Sequence, residues 1–250
     1  MPRHSRATDG AGESGWDLPR VFDETYLDFY ATVLDAARTS AECDRILRLL
    51  ESRPGSRLLD LCCGHGRHAR ELAARSLDVV GVDRSAGFLW RAAKGAPADA
   101  GALPLADGGF AGAYCWFSSI GYRGRTEDFA MLREAGRVLV PGSRLAVETR
   151  NWSTVAAGDF VVETPRGRIV DVVERDEVQG RLRTLRRYEP DGGEPREVEF
   201  SLHLYEVDAF VRLLEAAGFV DVDSLDGEDQ PFHEGAERAT FVARRRAEDR

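Results

Sequence analysis

One run in the first third of the chain can hold a small ligand with its backbone: Leu58-Leu59-Asp60-Leu61-Cys62-Cys63-Gly64-His65-Gly66-Arg67-His68. Gly64 and Gly66 allow a tight turn and a close approach of main chain to a bound molecule. A helix that starts there aims free N–H groups at that molecule. Asp83 closes the next apolar run, where an acid can accept both hydroxyls of a ribose. Asp99 precedes Leu103-Pro104, where a third strand should end, and can accept from an exocyclic amine such as that of adenine. A nicotinamide dinucleotide site follows the same logic, but its fingerprint places three glycines as GxGxxG/A. Here Asp60 lies just inside the loop and Ala69 takes the third position. Cys62, Cys63, His65 and His68 also raise the question of a metal. Zinc wants four ligands converging tetrahedrally, and neighbouring residues at a strand end point to opposite sides, so no metal is expected and Cys63 reads as a small buried residue.

The elements that must position these residues alternate. Residues 57–61, 78–82 and 111–117 read as strands, 66–75, 85–93 and 126–138 as helices, and 144–149 as a further strand after a Pro141-Gly142 turn. Strands separated by helices predict an α/β fold: a doubly wound, Rossmann-like, mostly parallel sheet with helices on both faces. Residues 94–99 are short and rich in Ala and Gly, so the third strand is weak. Ahead of this unit, residues 16–51 carry helical spacing in two helices, the second capped by Thr39 or Ser40 and stopped by Pro54-Gly55. Residues 1–15 are polar and without period, which predicts a disordered tail to a single domain over 16–250. Residues 160–205 are β-rich and broken by Pro165-Arg166-Gly167 and Pro190-Asp191-Gly192-Gly193, an antiparallel cap inserted late in that domain. A helix over 206–217 closed by Gly218, and strands over 219–222 and 240–243, complete it.

Taken together, Leu59-Asp60-Leu61-Cys62-Cys63-Gly64-His65-Gly66, Gly81-Val82-Asp83-Arg84-Ser85, Asp99 with Leu103-Pro104, and Arg137-Val138-Leu139-Val140-Pro141-Gly142-Ser143 resemble the class I S-adenosylmethionine (SAM) dependent methyltransferases. Trp116-Phe117-Ser118-Ser119-Ile120-Gly121-Tyr122, the aromatic N-terminal helix and the β-rich insertion are similar to small-molecule members, including amino-sugar N,N-dimethyltransferases of antibiotic pathways. The resemblance implies that Gly64 and Gly66 contact the methionine part of SAM, Asp83 the ribose and Asp99 the adenine. The full expected cofactor set is Tyr26, Asp60, Cys63, Gly64, Gly66, Asp83, Arg84, Asp99, Ala100, Trp116, Phe117 and Ser118. Cys62 stands where the commoner pattern has Gly and stiffens the turn.

Beyond the cofactor, Trp116 and Phe117 end the fourth strand, and aromatic faces there suit a sulfonium cation. Tyr26 and Tyr30 sit at helical spacing with Phe22, Phe29 and Val33, either a core stripe or a lid that excludes water. His203 ends the inserted segment and, with an ordinary pKa of about 6.5, is a candidate general base; Tyr122 is the second catalytic candidate. Tyr30, Arg150, Trp152 and Tyr205 are candidates for the acceptor side, since ligands bind at the C-terminal edge of open α/β sheets, with Arg150 suited to a carboxylate and Trp152 to a ring. Residues 174–177 read as a solvated turn.

Composition narrows the partners. Of 250 residues, 34 are Lys or Arg and 43 Asp or Glu, a formal charge of −9, which disfavours a nucleic-acid backbone as partner. No run approaches the roughly 18 apolar residues of a membrane helix, and no secretory signal opens the chain. Cys43, Cys62, Cys63 and Cys115 show no CxxC spacing, which fits a reducing cytoplasm. The expected function is methyl transfer from SAM to N or O of a small molecule, in a natural-product setting, by a monomer or homodimer without membrane or nucleic-acid partners. The alternatives are a peptide or protein amine as acceptor, a SAM-binding protein that does not methylate, and, more distantly, a nicotinamide oxidoreductase.

Overall fold

The computed structural model describes residues 18–89 and 95–247. The tail predicted over 1–15 and the far half of the helix expected over 85–93 lie outside the described residues. In chain order the elements are α1 (Leu18–Val21), α2 (Glu24–Tyr30), α3 (Ala36–Leu49), β1 (Arg57–Leu61), α4 (Arg67–Ala74), β2 (Asp78–Asp83), α5 (Ala86–Leu89), β3 (Gly95–Pro97), β4 (Phe110–Cys115), α6 (Arg125–Val138), β5 (Leu139–Arg150), β6 (Gly158–Thr164), β7 (Gly167–Asp176), β8 (Arg181–Pro190), β9 (Arg196–His203), α7 (Val207–Ala216), β10 (Phe219–Leu225) and β11 (Arg238–Arg245).

Seven strands form one twisted sheet in the order β10-β11-β5-β4-β1-β2-β3. β1 to β5 run parallel, and β11 is inserted antiparallel between β5 and β10. The period of two along each strand splits its apolar residues between two helical layers. Leu59, Leu61 and Cys115 pack with Met131, Leu132 and Ala135 of α6 and Phe210 and Leu214 of α7. Leu58, Tyr114 and Val242 face the other way, onto Cys43 and Ile46 of α3 and Ala69 and Leu72 of α4. β3 is three residues long, as its Ala/Gly content predicts.

The remaining strands form a separate antiparallel meander, β6-β7-β8-β9, between β5 and α7. Its inner face is buried against the N-terminal helices through Val21, Phe29, Ile169, Tyr188, Val198 and Phe200. Arg196 pins the joint by ion-pairing Asp23 and donating to the Thr25 hydroxyl at 2.8 Å. Among the described residues no helix is long and apolar enough to cross a membrane.

Three local expectations are corrected. Residues 18–51 hold three helices where two were expected over 16–51; Asp35 caps α3, accepting from the Arg38 N–H at 2.7 Å, and the Thr39 hydroxyl donates back to the Asp35 carbonyl. A carboxylate one turn earlier is the better N-cap because it sits at the positive end of the helix. Pro141 and Gly142 lie inside β5, where the ladder with β4 shifts register and Gly142 adopts φ +82°. Residues 174–176 are the end of β7, and Arg175 is covered: it lies over the Trp152 ring at 3.8 Å and donates to the carbonyls of Trp152 and Val155 at 2.8 and 2.7 Å.

Candidate active site

The loop after β1 turns through left-handed conformations at Cys62 (φ +57°), Gly64 (φ +55°) and Gly66 (φ +71°). Cys62 is the one L-residue with a side chain among them, and αL costs such a residue roughly 1 kcal/mol. Its sulfur is accommodated against the Met131 sulfur at 3.9 Å. Gly66 caps α4, and its N–H closes the turn on the Cys63 carbonyl at 2.9 Å. Asp83, at the end of β2, ties the two loops together: its carboxylate accepts the Gly64 N–H and the Ser85 N–H, each at 2.8 Å.

Asp60 is the group least at ease. It is 2% exposed, and its Oδ2 meets no donor of hydrogen-bonding geometry among the described residues. Burial, with the Asp83 charge nearby, pushes its pKa up to about 8, although the Tyr114 hydroxyl stands close by. Asp99 is the opposite case. Its carboxylate accepts the Gly101 N–H at 2.9 Å and Arg123 Nη1 at 2.8 and 3.0 Å, and although burial works against it, these partners hold its pKa below the usual carboxylate range.

These loops open onto a cavity of about 1020 Å³ whose far wall is the meander. From the cofactor set, Tyr26, Asp60, Cys63, Gly64, Asp83, Arg84, Asp99, Ala100, Trp116, Phe117 and Ser118 line it. Tyr30, Tyr122 and Arg150 line it as well. Tyr26 stacks on Tyr30 with ring centroids 4.5 Å apart, and Phe22 stands edge-on to Tyr122 at 5.2 Å. Burial pushes the Tyr122 hydroxyl up to about 12, so it stays protonated near neutrality.

Phe117 and Ser118 follow β4 with φ of +64° and +58°. Glu148 of β5 holds this pair: its Oε1 accepts the Phe117 N–H at 3.0 Å and Arg238 Nη2 at 2.6 Å, and its carbonyl accepts the Ser118 N–H at 3.1 Å. The Phe117 ring then lies among the guanidiniums of Arg38, Arg67 and Arg238, 5.1 to 5.5 Å from each.

Four candidates do not reach the cavity wall. Gly66 shapes the turn without lining the cavity. Phe200 and Leu202 line it, so alternation along β9 turns His203 to the other side. There its Nδ1 meets the Gln179 carbonyl at 3.1 Å and its ring stands edge-on to Tyr205 at 4.4 Å. Tyr205 donates to Asp128 at 2.7 Å beneath that layer. Trp152 is buried with Val155, Leu182, Leu202 and Leu204, anchoring the meander.

Sequence reasoning missed Phe88, Arg123, Asp128, Asp171, Arg186 and Arg238, all of which line the cavity. One signal was available. In β8 the inward positions are Leu182, Thr184, Arg186 and Tyr188, so Arg186 is a charge at an apolar register position, paired there with Asp171 through bonds of 2.7 and 2.6 Å. Among the described residues no group of three or more His, Cys, Asp or Glu is arranged to hold a metal.

Residues 58–142 match a family model described as a methyltransferase domain. The chain is 34% identical over 168 residues to a demethylmenaquinone methyltransferase of Beutenbergia cavernae, covering 63% of this chain and 67% of that protein. It is 32% identical over 187 residues to a 27-O-demethylrifamycin SV methyltransferase of Amycolatopsis mediterranei, covering 68% and 66%. Its fold is similar to that of the sugar N-methyltransferase KedS8 of Streptoalloteichus, with a TM-score of 0.72 and 25% identity over 98% of this chain and 99% of that one. The glycine turn, the acid at the end of β2 and the matched methyltransferase core all lie in one stretch of sequence, and on that ground the chain belongs to the SAM-dependent methyltransferases, with SAM as its cofactor.

Proposed function

We propose that the protein transfers a methyl group to a nitrogen or oxygen of a small-molecule acceptor, of the kind modified in natural-product biosynthesis. The observation that carries this reading is the single cavity that joins the β1 and β2 loops to the meander, so that cofactor and acceptor share one chamber roofed by the chain itself. The names of the rifamycin and sugar relatives support the acceptor class.

The residues present fit SAM. The unmatched, buried Oδ2 of Asp60 suits an ammonium donor such as that of the methionine part. Each oxygen of Asp83 already accepts one N–H and keeps a lone pair for a ribose hydroxyl. Asp99, steered by Arg123, and Ala100 line the side assigned to adenine. SAM bound there supplies a methyl already activated on a sulfonium. The chain then has two tasks. It aligns the acceptor at a near-attack distance of roughly 3–3.5 Å, with Tyr122 and Tyr30 as orienting hydroxyls. It also excludes water, with Phe22, Tyr26 and Tyr30 as the cover. A general base is needed only for an acceptor that arrives protonated, and His203 is not assigned that role.

The test is calorimetric titration of SAM into the wild type and Asp83→Ala, with an acceptor screen read by mass spectrometry for a one-methyl gain. Loss of two ribose bonds should weaken SAM at least about tenfold. Unchanged affinity would remove the site assignment, and NADH binding in place of SAM would remove the reaction class.

A further inference from the structure

The ladder between β5 and β11 sets Arg150 directly opposite Arg238. Like charges facing across an antiparallel pair are destabilising. The same register sets Thr240 opposite Glu148, so the sheet supplies one carboxylate beside two guanidiniums. That carboxylate is committed. Glu148 is 4% exposed, and its Oε1 serves Arg238 and the Phe117 N–H. Arg186, on the opposite wall, is locked on Asp171 and overlain by the Tyr30 and Phe200 rings at 5.2 and 5.3 Å.

Arg150 is the remaining cation of this wall. Among the described residues it has no carboxylate within ion-pair distance and no hydrogen-bond acceptor, and its side chain lines the cavity near Tyr30 and Tyr122. Arg150 stands exposed on the cavity side at the end of β5, and crowding by the walls and the Arg238 charge press its pKa down, with Tyr122, Tyr30 and Glu237 acting the other way. An incoming anion meets two guanidiniums there, one of them without an acceptor of its own, and can take charge-assisted hydrogen bonds from it.

We propose that Arg150 is a specificity-determining residue: the acceptor carries a carboxylate, remote from the group that takes the methyl, and Arg150 grips it. The planar guanidinium fork matches two carboxylate oxygens, and the protonated hydroxyls of Tyr30 and Tyr122 can donate to the same group. This rests on the methyltransferase reading above. It adds a chemical feature of the acceptor that an amine-selective, acid-lined pocket would lack.

The experiment uses the full chain loaded with S-adenosylhomocysteine (SAH) and two probes of one shape, 3-phenylpropionate and the neutral 3-phenylpropanamide, titrated by ligand-observed NMR. The wild type should bind the carboxylate about tenfold or more tightly than the amide, the scale of a charge-assisted hydrogen bond. Arg150→Met, which keeps the apolar stem, should erase that preference while SAH affinity stays within about twofold; Arg150→Lys, which keeps the charge, should retain part of it. Equal binding of both probes to the wild type, including no detectable binding of either, overturns the inference. So does a preference that survives Arg150→Met. A loss of SAH affinity of about tenfold in Arg150→Met also overturns it, because the arginine would then serve the cofactor's own carboxylate. Failure of the wild type to bind SAH would instead refute the methyltransferase site itself.

Discussion

Asp60 makes a sharp prediction because its burial and its missing partner act on stability as well as on binding. In the folded chain its pKa rises from 3.8 to about 8, chiefly by burial. The folded state therefore holds this proton longer than the unfolded state does. The contribution of the site is fully present below pH 4 and is lost as pH rises toward 8. Each pH unit inside that window costs about 1.4 kcal/mol, so the wild type should lose roughly 2–3 kcal/mol from this site between pH 5 and pH 7. Asp60→Asn has no proton to lose and should show no such slope. The assay is urea unfolding of the cofactor-free protein at pH 5, 6 and 7, comparing the two. Asp128, raised to about 6 mainly by burial, slopes the same way at the acid end, but it is present in both proteins and cancels in the difference. The variant should gain on the wild type by roughly 2–3 kcal/mol across the range while losing SAM affinity, as expected where a site is kept strained for function. A difference that stays within about 0.5 kcal/mol from pH 5 to pH 7 would show Asp60 already ionised in the folded chain, and the argument from its burial would fail.

Three further outcomes are expected. Gly121→Ala should be severely destabilised or insoluble, because a Cβ there would stand 2.1 Å from the His203 carbonyl at φ +101°; Gly142→Ala, with φ +82° and open space around it, should cost only about 1 kcal/mol in urea unfolding. Glu148→Ala should cost about 3–5 kcal/mol by leaving Arg238 unpaired and the Phe117–Ser118 turn unsupported, with a changed near-ultraviolet circular dichroism signal from Trp116. Glu42 is brought down to about 2, because bonds from His68, Arg67 and Arg38 outweigh its burial. Its contribution is thus present above pH 4 and lost as pH falls toward 2, so Glu42→Gln should flatten the acid limb of the stability profile between pH 4 and pH 2.

Much of the core was legible because its signals are local. The span of β1 agrees with the reading of residues 57–61, and β2 differs from it by one residue, since buried parallel strands read as short apolar runs between glycine turns. The weak third strand followed from its own composition. The N-terminal region was less legible. Asp23 and Asp35 split it into separate helices by capping α2 and α3, and the helical spacing of its aromatics runs across those breaks. Candidates on the meander fared worst. A shift of one residue changes which sheet face a side chain occupies, so Leu202 lines the cavity while its neighbour His203 does not.

By itself the sequence determined the α/β alternation, the backbone cradle from Asp60 to Gly66, the acid at Asp83 and the presence of an inserted β segment. Each is a matter of backbone conformation or period and is written in a few neighbouring residues. Only the tertiary structure decided which side of the meander faces the cavity, that Glu148 is committed to Arg238, and that Arg150 is left opposite another arginine without a counter-ion among the described residues. The facts about Glu148 and Arg150 depend on register between strands about ninety residues apart in the chain, and strand register is set by which faces find burial, not by local propensity.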